Sequence, residues 1–532
     1  MAQTGVESQA PLHTLVRKQL LVLVGLGFLL LPFYRYELGP DGISYLSIAE
    51  QYAAGFWHEA VNAYWGPLYS WLLALLLGLH LPGILATRMI GLASGALALY
   101  ALGRLFHRLP MRSALQRAAL WLAALILLSF AIQSYTPDAL FTALLLLYTS
   151  IILDPTYPSR YSGISCGILG ALSFYAKSYG FAFFFIHFCL FSFLTWLRSE
   201  PARRGRVIQQ FSLGLACFFV LSACWIFALH GKYGVWTIGS TGEFNHRLVG
   251  PGSSGYPHLR GLTPPASEHA ITAWQDPSLA TLPSWNALAE RRHELKLIML
   301  NVKQVFHFWG NESVLFPLFF VVYIVLCIRK PDRRWEWIYP ILTIALFSAG
   351  YIFLTVADRY FWFAELLILL VAFRTLELIF EQKLKTTTWR TALVVVVGFS
   401  FVVSPLRALK GHFKRDAALY AAVQTVKASG KVREPFASCG DWAHSAYFAY
   451  LLHAPYYGVI VPEPDADEIA HELNPDFNAA PPPFADARNA KQALSSQHIG
   501  ELFVWPNCPI DSASLGPVVV QSNELKVLRL KQ

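Results

Sequence analysis

The first polar segment after the first apolar run reads Glu37-Leu-Gly-Pro-Asp-Gly-Ile-Ser-Tyr-Leu-Ser-Ile-Ala-Glu50. It holds the carboxylate of Asp41 between a proline and a glycine, a pattern that favours a turn. After this turn Tyr45, Ile48 and Tyr52 recur at helical spacing. The spacing predicts a short amphipathic helix on a membrane surface, with Asp41 at its N-terminus. An aspartate in that place is often only a helix cap, so a catalytic interpretation depends on the rest of the chain.

The composition predicts a polytopic membrane protein. Of the 532 residues, 55% are hydrophobic and 14% are charged, and the mean hydropathy is +0.42. No soluble globular protein of this size needs so much apolar surface. Apolar runs of about 16 to 24 residues recur from Leu20 to about Leu406, and such runs are long enough to cross a hydrocarbon core of roughly 30 Å.

The positions of the basic residues predict the orientation of the chain in the membrane. The net charge is +9, but the charges cluster in short loops between apolar runs, which is typical of the cytoplasmic side and not of a nucleic-acid site. These loops are 104–117, 198–206, 329–334 and 383–390. They predict a cytoplasmic N-terminus, an external C-terminus and about eleven crossings, or twelve hydrophobic helices if a short first piece of Pro67–Phe106 is counted.

The predicted domains follow from these changes in composition. Residues 1–18 form a cytoplasmic N-terminus, 19–410 a transmembrane domain that is an all-α bundle, and 411–532 a small extracytoplasmic α/β domain. The transmembrane domain includes a first external loop at 35–66 and a long, irregular external loop at 231–302, whose tryptophans Trp236, Trp274 and Trp285 favour docking on the membrane face. In the C-terminal domain we predict strands at Pro435–Cys439, Tyr456–Val461, Leu502–Trp505 and Val518–Gln521, and helices at His444–His453 and Asp465–Leu473.

Two cysteines stand alone in the polar C-terminal part. Five of the seven cysteines fall in apolar runs, where cysteine behaves as a small hydrophobic residue. Cys439 and Cys508 are the other two, and they can form a disulfide if that domain is extracytoplasmic.

Several ionisable residues gather on the predicted external face. Such groups at the edge of a membrane segment are costly, so each is a candidate site residue. Asp138 can instead cap a helix, Lys177 can reach the interface by snorkelling, and Arg359 can pair internally with its neighbour. His246 and Arg247 can be ordinary exposed loop residues. Together, acids and bases on one face suit a reaction that removes a proton from an acceptor while a phosphate-bearing lipid departs.

At this point the chain resembles a family. An aspartate in the first external loop, a tyrosine and surface helix after it, and Gly66-Pro67-Leu68-Tyr69 opening the next apolar piece are similar to the GT-C glycosyltransferases. These integral-membrane enzymes use polyprenyl-phosphate-linked sugars and include the protein O-mannosyltransferases and the lipid A aminoarabinose transferase. Pro137-Asp138, Ala176-Lys177 and Asp358-Arg359-Tyr360 match the pattern of bacterial members, and the resemblance spans roughly residues 17–380.

The resemblance implies roles for single residues. It carries the catalytic general base over to Asp41. The polar groups of the external face themselves suggest that Lys177 and Arg359 bind the donor phosphate, and that Asp138, Tyr45, His246 and Arg247 position the acceptor or a cation. This chain has Asp41-Gly42 where many relatives have Asp-Glu, so the metal role of that second acid is in doubt. A divalent metal at Asp41 or Asp138 is kept only as an alternative. No other cofactor is expected, and the chain has no glycine-rich nucleotide-binding motif.

The sequence therefore predicts an inverting glycosyltransferase in a bacterial inner membrane, with its active site and C-terminal domain outside. The expected partners are a polyprenyl-phosphate-linked sugar, membrane lipid, and a glycan, lipid or protein acceptor. Three alternatives stay open: a ligase for polyprenyl-diphosphate-linked glycans, a lipid or solute transporter, and a non-catalytic scaffold. A transporter usually has two symmetric halves, whereas the halves of this chain differ.

Overall fold

The computed structural model describes residues 11–329, 334–382, 386–432, 434–461, 487–511 and 515–530. In chain order its longer helices are α1 (Leu12–Tyr34), α2 (Pro40–Ala54), α3 (Trp57–Ala60), α4 (Pro67–Gly78), α5 (Gly83–Arg108), α6 (Ser113–Gln133), α7 (Asp138–Ile152), α8 (Ser162–Ala176), α9 (Tyr179–Arg198), α10 (Pro201–Tyr233), α11 (Thr241–Leu248), α12 (Arg291–Glu312), α13 (Phe316–Arg329), α14 (Arg334–Ala349), α15 (Trp362–Gln382), α16 (Thr387–Ser400), α17 (Val403–His412), α18 (Ala417–Ser429), α19 (Trp442–Leu452) and α20 (Ala487–Ser496). The strands are β1 (Phe436–Cys439), β2 (Tyr456–Val459), β3 (Glu501–Val504), β4 (Val518–Gln521) and β5 (Lys526–Arg529). The predicted helix Asp465–Leu473 lies outside the described residues. So do residues 330–333 and 383–385, which belong to two of the basic loops.

The chain is a multi-pass membrane protein. Among the described residues, six helical stretches are long and apolar enough to cross a membrane: Leu12–Tyr34, Gly83–Arg108, Ser113–Gln133, Tyr179–Arg198, Pro201–Tyr233 and Thr387–Ser429. The bent pair Arg291–Glu312 and Phe316–Leu326, at 96°, makes a seventh if it counts as one span. Four apolar helices are shorter, namely Pro67–Gly78, Asp138–Ile152, Ser162–Ala176 and Ile338–Ala349. The predicted count of about eleven crossings therefore treats short helices as spans.

The helices and strands form two compact units. Unit 1 contains the described part of Met1–Tyr34 together with Arg88–Phe227 and Ile298–Phe413. Unit 2 contains Arg35–Thr87, Ala228–Leu297 and the described residues from Lys414 onward. The first loop, the long loop and the C-terminal segment thus belong to one folded body.

Unit 1 is a helical bundle around α15. This helix is buried along almost its whole length, as expected of a helix that is apolar on all sides. A short 3₁₀ turn, Asp358–Phe361, leads directly into it. The buried helix therefore fixes the position of Arg359, which lies in that turn.

Unit 2 contains a five-stranded mixed sheet with the strand order β2-β1-β3-β5-β4. The strand β1 is parallel to β2 and β3, while β5 is antiparallel to β3 and β4. The predicted C-terminal α/β architecture is confirmed, although the sequence reasoning missed α20 and the antiparallel strand β5. A disulfide joins Cys439, at the end of β1, to Cys508.

Two local expectations are wrong. The predicted surface helix is α2, but most of its residues are buried, because it packs against α4, α19 and a 3₁₀ turn at Ala273–Gln275. The predicted loop 231–302 is partly regular, since it contains α11 and three 3₁₀ turns, and α12 already begins at Arg291. Within this loop Trp274 is buried in unit 2, while Trp236 is 63% exposed.

Candidate active site

Asp41 lies in the first turn of α2, in unit 2. The N-cap of this helix is Gly39 and Pro40 is its first residue, so the interpretation of Asp41 as the cap is wrong. The Asp41 side chain instead accepts a hydrogen bond, because Trp274 Nε1 donates to its Oδ1 at 3.0 Å. A tertiary contact thus holds this carboxylate.

Trp274 is itself fixed on several sides. Its backbone carbonyl accepts from Ser44 Oγ at 3.1 Å and from Trp65 Nε1 at 3.2 Å. Its ring lies 5.7 Å from that of Trp65 and 4.1 Å from that of His258. The indole N–H therefore meets Asp41 from a rigid aromatic wall. The sequence reasoning noticed Trp274 only as one tryptophan of a long loop.

His258 closes this wall from the side of the C-terminal helix α19. Its ring lies 4.4 Å from that of Trp442 as well as beside Trp274. Burial lowers the pKa of His258 to about 3, because a buried imidazole loses the hydration that stabilises its charged form. The ring is neutral at physiological pH and packs as an aromatic group.

A polar network attaches the turn of Trp274 to the first loop. Asn62 Nδ2 donates to the carbonyl of Gln275 at 2.7 Å. Asp276 accepts from Tyr233 Oη at 2.6 Å and lies 3.7 Å from Lys232 Nζ. Lys232 also donates to the carbonyls of Glu59 and Val61, at 2.8 and 2.5 Å. These bonds connect the end of α10, the first loop and the residues beside Trp274.

The second candidate cluster lies in unit 1 and consists of Asp138, Lys177 and Arg359, called here the ion triad. Asp138 Oδ1 accepts from Lys177 Nζ at 2.6 Å, and its Oδ2 lies 3.5 Å from Arg359 Nε. Thr136 Oγ1 donates to Oδ2 at 2.5 Å. The N-cap of α7 is Pro137, so Asp138 is not a simple cap. One carboxylate and two cations give the triad a net charge of +1.

The ends of the helices place Lys177. The helix α8 ends at Ala176, Lys177 is extended, and α9 begins at Tyr179, so Lys177 lies at a break between two helices. Its ammonium group lies 4.0 Å from the centre of the Tyr360 ring. The Lys177 and Arg359 side chains stay 18% and 29% exposed, while that of Asp138 is 3% exposed. The cations can therefore reach a ligand, and the carboxylate behind them cannot.

The other predicted site residues have structural partners of their own. Tyr45 is buried in unit 2, 5.0 Å from the ring of Trp65. His246 stacks on Trp285 at 4.4 Å, and Arg247 pairs with Glu243 one turn earlier in α11 at 2.5 Å. These contacts make the three residues parts of the scaffold of unit 2.

The carboxylate of Asp138 is not arranged as a metal ligand. Both carboxylate oxygens of Asp138 already meet Lys177, Thr136 or Arg359. Within the described ranges, no three His, Cys, Asp or Glu side chains form a group that could hold a metal ion.

Comparison with known proteins identifies the fold. No protein-family model matches the sequence, and no curated protein matches it. Among solved structures, ArnT from Cupriavidus metallidurans bound to undecaprenyl phosphate is similar with a TM-score of 0.58 and 13% identity, over 96% of this chain and 98% of that chain. The apo structure of ArnT from the same organism is similar with a TM-score of 0.56 and 14% identity, over the same shares of the two chains. The apo oligosaccharyltransferase of Archaeoglobus fulgidus gives 0.52 and 11%, over 92% of this chain and 69% of that one. The chain has the GT-C fold, as the sequence predicts.

Proposed function

We propose that this protein is a glycosyltransferase that moves a sugar from a polyprenyl-phosphate carrier to an acceptor. The ion triad is the observation that carries the proposal, because it presents two partly exposed cations on a buried carboxylate. The GT-C fold supports the reaction class, and one of the ArnT structures is bound to undecaprenyl phosphate, which supports the class of carrier.

In this proposal the ion triad receives the departing phosphate. A guanidinium and an ammonium group bind phosphate oxygens through charge-assisted hydrogen bonds. Negative charge grows on the phosphate as its bond to the sugar breaks, so cations that are already in place stabilise the transition state more than the ground state. In this proposal Asp138 positions Lys177 and Arg359 rather than the acceptor.

Asp41 acts on the acceptor. An acceptor oxygen or nitrogen attacks the anomeric carbon while the bond from that carbon to the phosphate oxygen breaks, which inverts the configuration. Asp41 takes the proton that the acceptor loses, and polyprenyl phosphate leaves with the bonding electron pair. Trp274 positions Asp41, because its N–H occupies one carboxylate oxygen and fixes the orientation of the group. Tyr45 packs against Trp65, which donates to the carbonyl of Trp274, and so it supports the position of Trp274.

The reaction is assigned to the external face of a bacterial cytoplasmic membrane. This orientation follows from the basic loops of the sequence, which favour the cytoplasmic side. The acceptor is a glycan, a lipid or a protein.

The variant Asp41→Asn tests the proposal. Loss of a positioned base costs about a hundred- to ten-thousand-fold in rate, so a deletion strain that carries this variant should accumulate the lipid-linked sugar and lack its product. Mass spectrometry of the lipid-linked sugars and of the surface glycans measures both. Asp441→Asn is the matched control, since Asp441 is a carboxylate of the same unit that caps α19. Turnover above about a tenth of the wild-type value in folded Asp41→Asn protein would remove Asp41 as the base.

A further inference from the structure

Unit 1 contains a second polar site at the other end of α7. A cavity of about 560 Å³ lies where α7 and α9 end and α10 begins, and its lining includes Arg108, Asp154, Arg198, Glu200 and Arg203. The helix α7 has 15 residues, or about 22 Å at 1.5 Å per residue, and Asp138 is its first residue. The cavity is therefore separate from the ion triad.

The cavity favours an anion. Among the described residues, three guanidinium groups and two carboxylates line it, so these side chains have a net charge of +1. Arg108 pairs with Asp154 at 2.7 Å. Arg198 donates to the Tyr339 hydroxyl at 2.8 Å and Arg203 to the Tyr157 carbonyl at 2.6 Å. Because the Tyr157 carbonyl is a neutral oxygen, it orients the Arg203 guanidinium without neutralising it.

An apolar groove begins next to the cavity. It measures about 410 Å³ and lies between α9 and α10, lined by Cys189, Ser192, Phe193, Trp196, Val207, Ile208 and Phe211. On α9 the groove residue Ser192 is three residues before the cavity residue Thr195. On α10 the cavity residue Arg203 is four residues before the groove residue Val207. Residues three or four apart share one face of a helix, so the polar and apolar walls are continuous.

Arg204 marks the junction of the two walls. Its guanidinium lies 4.9 Å from the ring of Trp196, which lines the groove. Its Nε donates at 3.2 Å to the carbonyl of Ser199, which lines the cavity. A positive group over an aromatic ring, between a polar cavity and an apolar groove, suits the part of a lipid where the headgroup meets the chain.

We infer that the cavity and the groove together bind an anionic phospholipid. Arg198 and Arg203 hold the headgroup phosphate, and one acyl chain occupies the groove between α9 and α10. Basic pockets between membrane helices on the cytoplasmic side are a known means of binding anionic headgroups. A free phosphate would use the cavity but gain nothing from the groove, and so the groove favours a lipid as the source of the phosphate.

Native mass spectrometry of the full chain in detergent tests this site. The probes are phosphatidylglycerol, phosphatidylcholine with the same acyl chains, and glycerol 3-phosphate. We expect phosphatidylglycerol to bind about tenfold more tightly than phosphatidylcholine, since each basic residue near the headgroup adds to the attraction. The double variant Arg198→Gln, Arg203→Gln should lose this preference. Arg117→Gln is the matched control, because Arg117 is exposed on the same predicted side and should keep the preference.

A second variant examines the groove without altering the charges. Cys189→Trp places a large ring in the groove, and it should weaken both phospholipids about tenfold. Equal binding of the two phospholipids by the wild type, or a preference that persists in the double arginine variant, would overturn the proposal. Glycerol 3-phosphate binding as tight as that of phosphatidylglycerol would also overturn it, in favour of a soluble phosphate. If the double variant does not fold, undiminished lipid binding by folded Cys189→Trp protein would overturn the proposal.

Discussion

An indole N–H contacts the proposed base. Trp274 donates to Asp41 from a position fixed by Ser44, Trp65 and His258. Asp41 lies in the first turn of α2, whereas Trp274 lies in the 3₁₀ turn Ala273–Gln275 of the long loop. The catalytic value of Asp41 therefore depends on a residue of another loop.

The variant Trp274→Phe isolates this hydrogen bond. Phenylalanine keeps an aromatic ring in the wall but removes the donor. A hydrogen bond to a charged group contributes about 1.5–3 kcal/mol, so kcat/KM should fall about ten- to hundred-fold. The fall should be mainly in kcat, because in the proposal Trp274 positions the base and does not bind the donor phosphate. Steady-state kinetics of purified protein measures the change. Trp236→Phe, in the same loop but exposed, should leave kcat unchanged, and equal activity of the two variants would refute a positioning role for Trp274.

We expect Asp138 to contribute to stability as well as to the proposed reaction. Removal of one partner from a buried ion pair costs about 3–5 kcal/mol, because the other charge stays uncompensated. The side chain of Asp138 is almost fully buried. Asp138→Asn should therefore lower the free energy of unfolding by an amount that approaches this cost, and it should raise the KM for the lipid donor. Denaturant unfolding and steady-state kinetics give the two values.

The exposed pair Glu243 and Arg247 provides the control for that experiment. Its carboxylate is 65% exposed, and an exposed helical pair contributes about 0.3–0.5 kcal/mol. If Asp138→Asn and Glu243→Gln changed stability equally, the ion triad would not be the buried network described here.

At the scale of elements, small residues decide how closely α8 and α10 approach. A Cβ added at Gly163 would lie 1.9 Å from the carbonyl oxygen of Gln210, and one at Gly167 would lie 2.3 Å from that of Gly214. The two glycines are four residues apart on α8, the spacing that lets membrane helices pack backbone against backbone. Since α8 ends just before Lys177, this crossing also helps to position the ion triad.

The substitution Gly163→Ala should therefore destabilise the protein. Overpacking against a backbone atom typically costs about 1–3 kcal/mol, and here the two helices would have to separate. Gly205→Ala on α10 is the matched control, because nothing lies within 4 Å of its added Cβ. Alanine is up to about 1 kcal/mol better than glycine in a helix, so this control should be neutral or stabilising. Thermal unfolding monitored by tryptophan fluorescence would detect opposite shifts, and shifts of the same sign would contradict the close approach.

At the scale of the whole molecule, unit 2 unites three distant parts of the chain. Tyr447 Oη of α19 donates to the carbonyl of Tyr36 at 2.5 Å, and Thr263 N donates to that of Tyr457 at 2.6 Å. A bridge also pairs Leu262 with Gly458. The C-terminal α/β segment thus contacts both the first loop and the long loop, which carry Asp41 and Trp274. This segment therefore has a structural part in the proposed reaction.

The membrane orientation is a testable property of the whole chain. The positive-inside pattern predicts that the long loop of unit 2 lies outside and that the basic loop before α6 lies inside. A cysteine at Leu288, which is 88% exposed, should react with an impermeant maleimide in intact cells or spheroplasts. A cysteine at Arg117 should react only after the membrane is permeabilised. Labelling of Arg117→Cys in intact cells would reverse the orientation and place the proposed reaction in the cytoplasm.

Local pattern in the sequence was sufficient for the fold class. The length and composition of the apolar runs predict membrane helices because the thickness of the hydrocarbon core alone sets that requirement. A short helix before a full span in Pro67–Phe106 is confirmed by α4 and α5. The alternation of strands and helices after residue 411 was sufficient for an α/β domain, since these periods are properties of neighbouring residues.

Tertiary packing alone decided which groups meet. Trp274 and Asp41 are 233 positions apart, and Cys439 and Cys508 are 69 apart, so no local period connects either pair. The same packing covers α2, whose own sequence pattern predicts a surface helix, and it places the carboxylate of Asp138 against Lys177 and Arg359. Periodicity and composition determine how each segment folds and whether it prefers lipid or water. The choice of partner depends on which distant segments exclude water from the same place, and only the folded chain has that property.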